Sequence, residues 1–65
     1  MQKSFRTIDA VKTGIKENVN NGEDYQVIKS KLSDGCNGDK GDTIYWLETG
    51  NDIGMIRSNE ELIII

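Results

Sequence analysis

Sixty-five residues suffice for one small domain spanning 1–65, since a chain this short buries only about 60% of the surface its unfolded form exposes. With 35% hydrophobic and 29% charged residues the chain is too apolar for disorder and too polar for a thick interior, which points to a thin core built on a sheet. No histidine, no proline and one cysteine exclude a disulfide framework, a Cys/His zinc site and a His-based triad, and a net charge of −3 works against attraction to phosphate backbones.

The N-terminal third reads two ways. Ile8, Val11, Ile15 and Val19 recur at helical spacing, Thr7 is placed as an N-cap and Asn21-Gly22 as a stop, which together spell an amphipathic helix over 7–20. Against it, Gly14 and the β-branched Thr7, Ile8, Val11, Thr13, Ile15 and Val19 each lower helix propensity, by about 1 kcal/mol for the glycine and tenths for the others. Composition and spacing leave helix and strand open at this point.

Further on, glycines break the chain into strand-length runs rich in β-branched or aromatic residues: 24–32, 42–48, 53–57 and 61–65. The run 33–42 (SDGCNGDKGD) is too rich in glycine and charge to pack and is expected as a surface hairpin loop. Gly50-Asn51-Asp52-Ile53-Gly54 supplies residues that tolerate tight turns, so 42–58 reads as a second hairpin. Within 42–48, Ile44 and Trp46 share one face and Tyr45 and Leu47 the other, and Tyr25 shares a face with Val27, expected to be the core face.

The segments Ala10-Val11-Lys12-Thr13-Gly14 and Gly22-Glu23-Asp24-Tyr25-Gln26-Val27-Ile28, with Leu47-Glu48, Asn51-Asp52-Ile53-Gly54, Ile56-Arg57 and Glu61-Leu62, resemble the small SH3-like barrels found in phage and prophage accessory genes. The resemblance covers most of the chain and rests on turns and core positions. It implies an all-β fold, a single SH3-like barrel of about five short antiparallel strands in which 7–20 is extended. The helical reading of 7–20 implies instead an α+β fold, the helix packed on a three- or four-stranded antiparallel sheet. A barrel resemblance implies no activity, because small barrels host many functions.

Tyr25, Tyr45 and Trp46, flanked by Arg57 and Asp52, are the candidate partner-binding residues, since aromatics concentrate at interface centres; packing in the core is the plainer reading, and the one favoured for Tyr25. Lys3, Arg6, Lys12 and Lys16 fall in the first quarter while nine of eleven acids lie from Glu23 onward, which keeps a KOW-type nucleic-acid-binding barrel as the alternative. Asp34, Asn37, Asp39 and Asp42 miss the ligand order of an EF-hand. Cys36 has no base to activate it, and Glu60, Glu61 and Asp52 lack the walled cleft that carboxylate chemistry needs. Neither metal, nor cofactor, nor enzymatic activity is expected.

The terminal Leu62-Ile63-Ile64-Ile65 is apolar on both faces where a half-exposed edge strand should alternate, so it is either covered or paired with a second copy as a homodimer. With no apolar run of membrane-spanning length and no signal-like start, a cytoplasmic location is expected. The residues therefore read as a non-enzymatic protein-interaction module, and the kinship with phage accessory genes that the resemblance implies makes the expected partner a host protein, which the module binds and inhibits.

Overall fold

The computed structural model describes residues 1–31 and 41–65. It contains strand β1 (Gln2–Phe5), helix α1 (Ile8–Asn18), strands β2 (Tyr25–Lys31) and β3 (Thr43–Thr49), a single 3-10 turn (Gly50–Asp52) and strand β4 (Glu60–Ile63). The strands make one antiparallel sheet in the order β1-β3-β2-β4.

This corrects the barrel and the extended reading of 7–20. The strands β1 and β4 are the two outer strands of an open, mostly-sheet fold with one helix, which agrees with the α+β alternative. Helix wins over strand at 8–18 through local and tertiary terms that outweigh the propensity of its β-branched residues. The Thr7 hydroxyl accepts from Ala10 N–H at 3.1 Å, a capping bond that contributes about 1 kcal/mol. The periodic apolar stripe then lands on the sheet: Val11 is fully buried and Ile15 and Val19 pack around it, while Ile8, at the start of the helix, is 39% exposed. Burying one such side chain contributes roughly 1.5–3 kcal/mol, several times a β-branched penalty.

Gly14, which counts against a helix by propensity, is what lets α1 approach the sheet. It is buried, and the ring of Phe5 lies where a side chain at 14 would begin. The helix ends at Asn18, whose amide donates to Gly14 O at 2.8 Å, and the chain reverses through Gly22 with φ of +84°, a left-handed conformation that glycine adopts without strain.

The core beneath α1 is Val11, Val27 and Leu47, packed round by Phe5, Ile15, Val19, Tyr45 and Ile63. Register explains the set: Lys3, Leu47, Val27 and Ile63 stand in one row across the sheet, and Phe5 opposes Tyr45. The other sheet face has its own apolar layer, in which Ile28 and Ile44 are 3% exposed. Both β3 aromatics are only partly buried, Tyr45 on the helix face and Trp46 on the opposite one.

The second hairpin, 42–58, does not form. The partners of β3 are β1 and β2, so β2 and β3 are the two arms of the central hairpin, and 53–57 carries no strand. Gly50, with φ of +61°, opens the 3-10 turn instead of a tight reversal. The expectations placed on Ser33, Asp34, Cys36, Asn37 and Asp39 lie outside the described residues.

Candidate functional site

The segment 50–59 crosses the face of the sheet opposite α1, and Glu48 holds it there. On β3, one of the two inner strands, Glu48 is 8% exposed, a costly place for a carboxylate unless donors surround it. Three do: Gln2 Nε2 at 2.8 Å, Gln26 Nε2 at 2.6 Å and the backbone N–H of Gly54 at 3.3 Å. The two glutamines flank Glu48 because both oppose it in register, one on each neighbouring strand. Gln26 also donates to Gly54 O at 3.0 Å, so Gly54 is fastened through both of its backbone polar groups.

Between this strap and the sheet lies a groove of about 410 Å³. Ile28 and Trp46 line it from the sheet, Gly54, Met55 and Arg57 from the strap. The Trp46 indole N–H donates to Ser30 Oγ at 3.1 Å, which fixes the ring. On the rim, Arg57 and Glu60 close a turn by a reciprocal set of contacts: Glu60 N–H donates to Arg57 O at 3.0 Å, while Arg57 N–H and Nη1 each donate to the Glu60 carboxylate at 3.3 Å. Asp52 is paired with the Met1 amino group, which also donates to Thr49 O at 3.0 Å. Met55 has no such anchorage, and its side chain stands 91% exposed.

Of the five residues singled out for partner binding, Trp46, Asp52 and Arg57 thus come together around one groove. Tyr45 belongs to the helix-side core. Tyr25 is 41% exposed at the start of β2, which overturns its placement in the core; it does share the core face with Val27, but it stands at the end of the row, beside Ile63 and Ile65 in a separate hollow of about 350 Å³. Met55 escaped the sequence reading because an isolated methionine in an irregular segment carries no periodic signal.

The four basic residues are spread over β1, the link to α1 and α1 itself. Lys12 and Lys16 are exposed one turn apart on the helix, whereas Arg6 reaches Asp42 at 3.7 Å. The closed barrel that the KOW-type reading presumes is not formed among the described residues, whose four strands make an open sheet. Among the described residues no three His, Cys, Asp or Glu side chains are grouped to hold a metal ion, every buried side-chain polar atom has a hydrogen-bond partner, and no helix is long and apolar enough to cross a membrane.

Comparison with known protein families, with curated proteins and with solved structures finds no match to this chain.

Proposed function

We propose that this chain is a non-enzymatic protein-interaction module that seats an apolar side chain of a partner protein in the groove between Trp46 and the strap. A host protein that the module inhibits is the partner expected from the barrel resemblance; with the barrel gone, the groove itself specifies only that the partner offers an apolar side chain. The observation that carries the reading is Met55, 91% exposed on the rim of a groove floored by Ile28 and Trp46. A large apolar group that gains nothing inside its own fold supports an outside use, and methionine adapts its shape to what it meets. Gln2, Glu48, Asp52, Arg57 and Glu60 also line the groove, so Trp46 and Met55 lie in a largely polar surround, as aromatic anchors of a transient interface do.

Affinity capture from a bacterial lysate tests this. One stoichiometric protein should be retained by the parent chain and lost with Met55→Ala, whose fold is untouched. Capture that survives both Met55→Ala and Trp46→Ala overturns the proposal. The competing nucleic-acid reading, through Lys3, Arg6, Lys12 and Lys16, requires binding to DNA or RNA that weakens steeply with salt, and a flat titration dismisses it.

A further inference from the structure

The hydrogen-bond pattern of the sheet determines which backbone groups β4 presents to its free edge. Met1 and Thr49 exchange both bonds, the Met1 amine donating to Thr49 O at 3.0 Å and Thr49 N–H to Met1 O at 2.9 Å. In an antiparallel ladder such doubly bonded pairs alternate with unbonded ones, so the odd residues of β3 bond toward β1 and the even ones toward β2. Gly50 N–H donating to Asp24 O at 3.4 Å fits the same alternation one step beyond the strands. On β2 the even residues are then spent on β3, and Val27 and Lys29 bond toward β4, where they oppose Ile63 and Glu61. What remains facing outward on β4 is the N–H and C=O of Leu62 and, as the alternation continues, of Ile64. Glu60 points the same way, and its N–H is already taken by Arg57 O at 3.0 Å.

The side chains on this edge match its open backbone. Leu62 is 48%, Ile64 93% and Ile65 40% exposed, and among the described residues no strand pairs with the outer side of β4. The opposite edge is treated differently: β1 carries the polar Gln2, Lys3 and Ser4, and Arg6 follows it, the kind of polar, charged edge that discourages pairing.

We infer that β4 pairs with β4 of a second copy of this chain, antiparallel about a two-fold axis through Ile63. This register makes Leu62 of each copy a doubly bonded partner of Ile64 of the other, so both outward sets are used twice over and the interface is self-complementary. It also sets Glu61 opposite Ile65, keeping the acidic starts of the two strands at opposite ends. Shifting the axis to Leu62 sets Glu60, whose N–H is committed, against Ile64 and satisfies fewer groups. The hollow lined by Tyr25, Val27, Ile63 and Ile65 lies beside the seam and is walled further by the second copy. The Trp46 groove stays free, so this inference stands apart from the proposed partner site.

Sedimentation equilibrium from micromolar to millimolar concentration tests it, with circular dichroism to confirm the fold. The parent chain should double in mass. Ile64→Pro removes an outward N–H and leaves every bond between β2 and β4 in place, so it should fold and remain monomeric; Ile64→Lys, which keeps the backbone and adds a charge, should do the same. Amide exchange at Leu62 should slow as concentration rises, while Ile63 is protected throughout. A chain that is monomeric at all concentrations overturns the inference and leaves the edge to a strand from another protein. Growth beyond two copies overturns the closed two-fold register, and a dimer that survives both substitutions places the contact elsewhere.

Discussion

Replacing Gly14 by alanine sets two opposed effects against each other, and the structure decides the sign. In a solvent-facing helix interior the change stabilises by about 0.8–1.0 kcal/mol through propensity alone. Here a Cβ at position 14 would lie 3.0 Å from both Cε1 and Cε2 of Phe5 and nearer still to Cζ, so the ring or the helix must move. Overpacking of this kind costs about 1–3 kcal/mol, so Gly14→Ala should destabilise by up to about 2 kcal/mol after the propensity gain. All three crowding atoms lie beyond Cδ of the phenylalanine, and leucine at position 5 has none of them. In a Phe5→Leu background the same Gly14→Ala change should therefore stabilise, by up to about 1 kcal/mol. Urea unfolding followed by the fluorescence of Trp46, the one tryptophan, gives the four free energies of this double-mutant cycle. Equal effects of Gly14→Ala in both backgrounds, or stabilisation in the parent chain, would refute the argument that glycine is there to admit the ring.

Thr7→Ala removes the acceptor for Ala10 N–H and should lower stability by about 1 kcal/mol, read in the same urea titration as a lower midpoint with an unchanged slope. Glu48→Ala leaves Gln2, Gln26 and Gly54 N–H without their shared acceptor; it should cost about 1–3 kcal/mol, and limited trypsin digestion should cut after Arg57 much faster than in the parent chain. Met55→Ala, at a side chain 91% exposed, should change stability by less than about 0.5 kcal/mol, so any loss of partner capture reports the surface alone.

How much of this was legible depended on whether a signal was local. The runs 24–32 and 42–48 announce β2 and β3 because both faces of the central strands are apolar or aromatic, and 61–65 announces β4. Strand β1 sends no such signal: Gln2, Lys3 and Ser4 are exposed and acquire a strand geometry only from β3. The helix was written in the spacing of Val11, Ile15 and Val19, but the barrel resemblance argues against it, and the ring of Phe5 on Gly14 is a contact no single-residue scale records. Ile53–Arg57 looks like a strand by composition, yet it runs as an irregular strap whose Gly54, Met55 and Arg57 border the groove over Ile28 and Trp46. For the site, alternation along β3 correctly separated Trp46 from Tyr45, while the meeting of Trp46 with Arg57 and Asp52 depends on a strap held by Glu48. Tyr25 shows the limit of periodicity, which assigns a face and says nothing of how far along it the covering helix extends.

The strand order carries a consequence for how the chain comes to be folded. Each outer strand leans on a different arm of the central hairpin, β1 on β3 and β4 on β2, so each adds to an edge that is held in place once β2 and β3 have zipped together. Phe5 must moreover wait for Tyr45, most of the chain away, and closing so long a loop is repaid only once the hairpin exists. The hairpin is thus the natural nucleus, with the first and last strands arriving later and independently of one another.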